Sequence, residues 1–238
     1  MIAVLITWSL AEGVFPSYYT GLSTWTYWWM GVVGAIALFL SVVFHELSHS
    51  LVARRFGLSM RGITLFIFGG VAQMEDEPPS PKAEFFMALA GPATSVAIGL
   101  ILLAAATWIP QSLWPISIYG IVSYLGFINL VLAAFNLLPA FPLDGGRLLR
   151  AVLWQTMSNL RRATRVASSV GSVFGFVLIG LGIVFFIRGA FIGGIWWFLI
   201  GWFVRQSAAG AYQNILVRGA LEGATVERFM NKDPITVP

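Results

Sequence analysis

The sequence predicts an all-α polytopic membrane protein with about six transmembrane helices and a short re-entrant β hairpin. Of its 238 residues, 58% are hydrophobic and only 10% are charged. Soluble domains carry about 25% charged residues, so the composition argues against an ordinary soluble domain and excludes a disordered chain. The hydrophobic residues also fall in long runs, which is typical of chains that cross a membrane several times.

A membrane-spanning helix needs about 20 apolar residues to cross about 30 Å of hydrocarbon. Five runs reach or approach that length, and the last of them can extend through residues 206–217. They are residues 28–52, 85–108, 116–138, 166–187 and 190–204. A sixth run, residues 1–10, is too short by itself, and we interpret it as the remaining half of a first transmembrane helix that starts before this sequence.

Residues 62–74 (GITLFIFGGVAQM) are apolar and aromatic, but they are too few to span and are interrupted by Gly69 and Gly70. Strand-forming residues flank the two glycines, so we expect a re-entrant β hairpin here. Simple packing at the membrane interface is the alternative interpretation of this segment.

The distribution of positive charge predicts the orientation of the chain. If residues 12–27, 109–115 and 188–189 lie outside, Arg188 is external and the other 13 of the 14 Lys and Arg residues are cytoplasmic. We therefore expect a multi-pass protein of the cell membrane with a cytoplasmic C-terminus. The excess of basic residues indicates contact with the lipid bilayer, through anionic headgroups, rather than with nucleic acid.

The chain has only two histidines, and they lie four residues apart in the sequence His45-Glu46-Leu47-Ser48-His49. On a helix this spacing puts both imidazoles on one face, where they can bind a single metal ion. Glu46 lies beside them and can polarise a water molecule or take its proton. The alternative is a pair of core histidines bonded to neighbouring helices, which membrane depth disfavours because ionisable groups there are usually functional.

A zinc site needs a third protein ligand, and this chain has no Cys and no third His to supply it. The ligand is therefore expected to be a carboxylate, and Asp144 is the best candidate. By the predicted topology it lies near the cytoplasmic end of its span, at a depth similar to that of the two histidines. Pro139 and Pro142 end the preceding helix, and the glycines after Asp144 allow a close turn beside an ion. The alternative is a turn aspartate that caps the next helix.

These motifs resemble the site-2 protease family of intramembrane zinc metalloproteases, which is peptidase M50-like. The resemblance rests on HELSH in a transmembrane run and on NLLPAFPLDGG about 90 residues later, with Gly91-Pro92 as a further match. It implies one Zn²⁺ per chain, held by His45, His49 and Asp144, with Glu46 as the catalytic acid–base. The implied candidates for contact with the substrate or the oxyanion are Asn136, Asn129, Gly69 and Gly70. Ser48 departs from the family, which usually has Gly there, but Ser is also small and zinc binding is still expected.

The resemblance also implies a domain organisation. No PDZ-like insertion separates the core helices, and residues 226–238 resemble the opening of a CBS domain. We therefore expect the chain to belong to the branch of the family that carries CBS domains, and to be truncated at its C-terminus. Residues 1–205 would form the membrane-embedded metalloprotease core, and residues 206–238 a cytosolic extension leading into a truncated CBS-like segment.

The function implied is hydrolysis of a peptide bond within transmembrane segments of membrane-anchored proteins, near the cytoplasmic face. This is regulated intramembrane proteolysis, and the family's substrates suggest a membrane-bound transcription factor or an anti-sigma factor. Two alternatives are a membrane zinc transporter or channel and a non-catalytic membrane scaffold. Glu46 favours hydrolysis, because transport has no obvious use for a base beside the ion.

Overall fold

Long α-helices form most of the fold. The computed structural model describes residues 2–58, 60–66, 69–74 and 77–221. The α-helices of this part of the chain are α1 Ile2–Ser9, α2 Phe15–Tyr18, α3 Thr24–Arg55, α4 Pro81–Trp108, α5 Ile116–Asn136, α6 Asp144–Met157, α7 Leu160–Ile187 and α8 Phe191–Leu221. A π-helical turn, Leu10–Val14, joins α1 to α2, and a 3-10 turn, Gln111–Leu113, lies between α4 and α5.

Polar residues define where the long helices begin. The Ser23 hydroxyl accepts a hydrogen bond from the Thr26 amide at the start of α3. Ser80 does the same for Ala83 at the start of α4, and Asn159 caps α7. Each cap satisfies a backbone N–H that has no partner within its own helix, which stabilises a helix by about 1 kcal/mol.

The prediction of about six transmembrane helices is wrong for the described residues. Four helices, α3, α4, α5 and α7, are long and apolar enough to cross a membrane. The first apolar run forms a helical stretch over Ile2–Tyr18 that is shorter than a span. Helix α8 has 31 residues but is not one of these four. The described residues thus contain four helices that can cross a membrane, as in a multi-pass membrane protein.

The predicted class also needs correction around residues 62–74. The chain there forms two antiparallel strands, β1 Met60–Phe66 and β2 Gly69–Met74, with Phe66 opposite Gly69 and Ile63 opposite Ala72. This two-stranded sheet lies beside α3. The predicted class, an all-α protein of about six spans with a re-entrant hairpin, is therefore wrong. The described residues form a helical membrane protein with four candidate spans and a small two-stranded sheet beside α3.

The helices pack in two groups that meet at α6. Helix α4 contacts α3, α5 and α6, so it lies at the centre of the first group. Helix α8 packs along α7, and α7 packs on α6. At the join, Phe141 from the turn before α6 packs against Ala167 of α7 and Ala208 of α8.

The predicted domain boundary after Arg205 falls inside α8, which continues without a break to Leu221. The CBS-like segment, residues 226–238, lies outside the described residues. The division into a membrane core and a cytosolic extension therefore stays a prediction.

Glycines allow α7 and α8 to approach closely. A methyl group at Gly182 would lie 2.6 Å from the Phe198 amide nitrogen, whereas one at Gly180 would meet nothing within 4 Å. We expect Gly182→Ala to destabilise the protein by about 1–3 kcal/mol, because the added carbon forces two backbones apart. Gly180→Ala is the matched control and should leave the thermal unfolding midpoint in detergent unchanged or slightly higher. Equal midpoints for the two variants would contradict this packing.

Candidate metal centre

Helix α3 brings the two histidines to one buried face. His45 is 3% exposed and His49 is 7% exposed, and their ring centres lie 4.9 Å apart. The four-residue spacing predicted this arrangement, because residues i and i+4 lie one above the other on a helix. Each imidazole therefore faces the neighbouring α4 rather than lipid.

Helix α4 orients both rings. His49 Nδ1 lies 2.6 Å from the Met87 carbonyl oxygen, which can only accept, so Nδ1–H donates and Nε2 is the nitrogen that faces Asp144. His45 Nδ1 lies 2.9 Å from the Ser95 hydroxyl. A hydrogen bond at Nδ1 fixes the ring and directs Nε2 at a metal, which is the usual arrangement for histidine ligands.

Gly91 leaves the room that the two rings occupy. A methyl group there would lie 2.5 Å from His45 Nε2 and closer still to His49 Nε2. Met87, Gly91 and Ser95 are spaced by four, so they form one stripe on α4 that accepts the imidazoles. The Gly91-Pro92 pair was noted in the sequence only as a family match, and the structure gives the physical reason for the glycine.

A tight turn after α5 delivers the carboxylate. Asp144 is the first residue of α6 and is only 9% exposed. A methyl group at Gly145 would collide with the Leu137 and Leu138 carbonyl oxygens, and one at Gly146 would lie 2.6 Å from the Phe141 nitrogen. The two glycines therefore let α6 begin directly against the turn, as the sequence analysis expected.

The three ligand atoms converge. Asp144 Oδ2 lies 3.2 Å from His45 Nε2 and 3.2 Å from His49 Nε2, and the three atoms lie within 4.8 Å of one another. A tetrahedral zinc site with bonds of about 2.0–2.1 Å has ligand atoms about 3.3 Å apart. The donor set therefore fits zinc in both chemistry and spacing.

The charge state of Asp144 suits a ligand. Burial raises the pKa of its carboxyl, but the hydrogen bonds and charges of His45 and His49 outweigh burial and lower the pKa to about 2. The carboxylate is thus ionised at neutral pH. Asp144 Oδ2 and His49 Nε2 lie 3.2 Å apart, and either a proton or a cation can lie between these two atoms.

Glu46 lies next to the ligands without being one of them. Its side chain is half-buried, and it is close enough to His45, His49 and Asp144 for their charges to act on its carboxylate. A carboxylate in this position can exchange a proton with a water molecule bound beside the three ligands. The structure thus brings together all four residues of the predicted centre.

The other candidates lie around this centre in different settings. Asn129 is fully buried, and its Nδ2 donates to the Ser41 hydroxyl at 3.1 Å, which ties α5 to α3 one turn before His45. Asn136 is half-buried at the end of α5, where its Nδ2 donates to the Leu132 carbonyl. Gly69 and Gly70 belong to β2 and pair with β1. Their contacts with a substrate stay predictions.

Sequence reasoning missed the residues of α4 that support the site. The Ser95 hydroxyl and the Met87 carbonyl were not foreseen, although the four-residue spacing of Gly91 and Ser95 was a usable signal. Ser48, where the family usually has Gly, shares a hydrogen bond of 2.7 Å with the Thr94 hydroxyl. This bond adds a contact between α3 and α4 beside the histidines.

The fold and the site together define a multi-pass helical protein with two histidines and one aspartate arranged so that they could hold a metal ion. Residues 33–112 and 106–178 match the sequence profile of peptidase family M50. The chain therefore belongs to peptidase family M50.

Named relatives agree with this assignment. The chain is 40% identical over 234 residues to the Rip3 protein of Mycobacterium tuberculosis, covering 98% of this chain and 59% of Rip3. It is 41% identical over 229 residues to the sll0528 protein of a Synechocystis species, covering 95% of this chain and 59% of that protein. Both relatives carry "zinc metalloprotease" in their names. The chain spans about three fifths of their length.

A solved structure is also similar. The site-2 protease from Methanocaldococcus jannaschii superimposes with a TM-score of 0.57 at 30% sequence identity. The superposition covers 89% of this chain and 88% of that one. The resemblance inferred from the two motifs is thus confirmed at the level of the family.

Gly91 provides a test of the metal centre. We expect Gly91→Ala to weaken zinc binding at least tenfold, because the new methyl group displaces the imidazole nitrogens, and small changes around metal ligands have effects of this size. Zinc affinity can be measured by competition with a chromogenic chelator. Gly99→Ala is the matched control. Gly99 also lies on α4, eight residues after Gly91, and its new methyl group would lie 2.7 Å from the Leu130 side chain of α5 rather than beside the histidines. It should lower stability but leave zinc affinity intact, and unchanged affinity in Gly91→Ala would contradict the site.

Proposed function

We propose that this protein is an intramembrane zinc metalloprotease, which hydrolyses a peptide bond in transmembrane segments of membrane-anchored proteins. The observation that carries the proposal is the convergence of His45, His49 and Asp144 with Glu46 beside them, where both histidines and Glu46 lie on α3, a helix that can span a membrane. Membership of peptidase family M50 supports the same reaction. The hydrolytic site would hold one zinc ion per chain.

Three side chains of this protein would bind the zinc ion, and two groups of α4 would orient the histidines among them. His45 Nε2, His49 Nε2 and Asp144 Oδ2 hold the ion. When bound, zinc supplies Lewis-acid chemistry, lowering the pKa of a water molecule and polarising the scissile carbonyl. Ser95 and the Met87 carbonyl keep the imidazoles pointed at the ion through their Nδ1 atoms.

Glu46 would act as general base and then as general acid. Its carboxylate takes a proton from the attacking water and afterwards gives that proton to the leaving amine. The proton count balances, because the base is regenerated when the amine departs. The proposal is supported by the half-buried position of Glu46 between the two ligands of α3.

Substrate contacts would come from groups near the ligands. Asn136 is the leading candidate, because it lies eight residues before Asp144 at the end of α5 and its amide can donate to a developing oxyanion. Asn129, Gly69 and Gly70 are the further candidates. The complete burial of Asn129 favours a role in holding α5 on α3, with any effect on substrate exerted through the helix.

The reaction would take place near the cytoplasmic face. His49 lies six residues before Arg55, the last residue of α3, which corresponds to about 9 Å along a helix. The basic end of a span faces the cytoplasm by the positive-inside rule, and Arg54 and Arg55 form such an end. We propose that α8, which has 31 residues and packs along α7, returns across the membrane, so that the C-terminus is also cytoplasmic.

The substrate class and the branch follow from the family resemblance. We propose a membrane-anchored regulatory protein as substrate, such as a membrane-bound transcription factor or an anti-sigma factor. We also propose that the chain belongs to the branch that carries CBS domains, with residues 206–238 as a cytosolic extension. The resemblance of residues 226–238 to the opening of a CBS domain supports this branch.

Glu46→Gln tests the reaction. We expect this variant to bind zinc like the wild type but to lose cleavage of a labelled transmembrane fusion protein by about 10²–10⁴-fold, since a general acid–base contributes that much. Glu12→Gln is the matched control, because Glu12 is exposed and lies in the π-helical turn Leu10–Val14, near the start of the chain. It should keep both zinc and activity.

The same proteoliposomes separate proteolysis from transport. Chelation should abolish cleavage, and added zinc should restore it in the wild type and in Glu12→Gln. Full cleavage by Glu46→Gln would contradict the proposed reaction, and so would zinc flux into the vesicles without any cleavage.

A further inference from the structure

A buried ion pair joins α4 to α6 beside the metal centre. Glu84 is completely buried, and Arg150 is only 7% exposed. The Arg150 Nε–H donates to Glu84 Oε1 at 2.6 Å, and the Nη2 nitrogen of the same guanidinium contacts that oxygen too. Nη2 also lies 3.4 Å from Glu77 Oε2. The proposed reaction uses none of these three residues.

Each member of the pair lies close in sequence to a part of the metal centre. Glu84 precedes Met87 by three residues, and the Met87 carbonyl oxygen orients His49. Arg150 follows Asp144 by six residues on α6. Its guanidinium carbon lies 5.7 Å from the ring centre of Phe141, which belongs to the turn that delivers Asp144. The pair therefore connects the helix that orients one ligand to the helix that carries another.

A buried ion pair is a poor way to gain stability alone. Removing two charges from water is expensive, and well-packed apolar side chains of similar volume are often equally or more stabilising. An apolar contact, however, has no preferred direction, whereas the planar guanidinium bonds a carboxylate only in a fixed geometry. The ion pair therefore restricts the position of α6 along α4 to a narrower range than apolar packing would.

Metal ligation demands this kind of precision. Ligand distances must hold to within about 0.2 Å, so a small slide of α6 along α4 would take Asp144 Oδ2 out of reach of the ion. We propose that the Glu84–Arg150 ion pair is a positioning device, which sets α6 against α4 so that Asp144 and the two histidines meet on one divalent cation. The inference rests on the proposed function for its metal, but its test requires no proteolysis.

The test compares zinc affinity with stability in four variants. Glu84→Gln and Arg150→Met each leave one charged group buried without its partner, so both should lower the thermal midpoint and weaken zinc binding. The double variant removes both charges and should recover the thermal midpoint. Its zinc affinity should nevertheless stay about 10–100-fold below that of the wild type, the range expected for lost outer-shell support. Arg150→Lys keeps the charge without the planar fork, and should fold while binding zinc about tenfold more weakly.

Gly182→Ala is the control for general destabilisation. Its methyl group would lie 2.6 Å from the Phe198 amide nitrogen, towards the end of α7 that is far from Ala167 and Phe141. This variant should lower the midpoint and leave zinc affinity unchanged. Wild-type zinc affinity in the double variant or in Arg150→Lys would overturn the inference, and so would an equal loss in Gly182→Ala.

The outcomes also separate this inference from the proposed reaction. A wild-type protein that binds zinc tightly but cleaves no substrate would refute the reaction while leaving the positioning role intact. A double variant that binds zinc and cleaves like the wild type would refute the positioning role alone.

Discussion

The structure depends on the meeting of three ligand atoms from two segments that are far apart in the chain. His45 and His49 come from the C-terminal half of α3, and Asp144 comes from the first turn of α6, 95 residues beyond His49. Neither segment can bind zinc alone in the usual three-ligand manner. The surrounding helices must therefore hold the two segments at a fixed separation.

Helix α4 provides that separation. One stripe of it offers a carbonyl oxygen, a glycine and a hydroxyl to the two imidazoles, while its first turn carries the carboxylate that bonds Arg150 of α6. Polar groups at membrane depth are expensive unless they are bonded, and in this region the polar contacts also determine geometry. Small residues at the contacts, Gly91 above all, make room for this arrangement.

Much of the site could be predicted from the sequence, because its signals are local. Two histidines four apart, a glutamate between them and an aspartate before two glycines each have a direct meaning in helix or turn geometry. The supporting contacts could not be predicted in the same way. The Met87 carbonyl is main chain and leaves no mark in the sequence, and Glu84 and Arg150 lie 66 residues apart. The number of spans was overestimated in part because the first apolar run was taken as half of a span, whereas its helical stretch, Ile2–Tyr18, is shorter than a span.

Zinc-edge X-ray absorption of the metal-loaded protein in detergent can show whether His45, His49 and Asp144 bind the ion together. The account predicts a four-coordinate ion with two imidazole nitrogens and a carboxylate oxygen at about 2.0–2.1 Å. In Asp144→Asn the carboxylate contribution should disappear while any remaining zinc keeps its imidazoles. A spectrum that lacks the two imidazoles, or one that is identical in the wild type and in Asp144→Asn, would contradict the account.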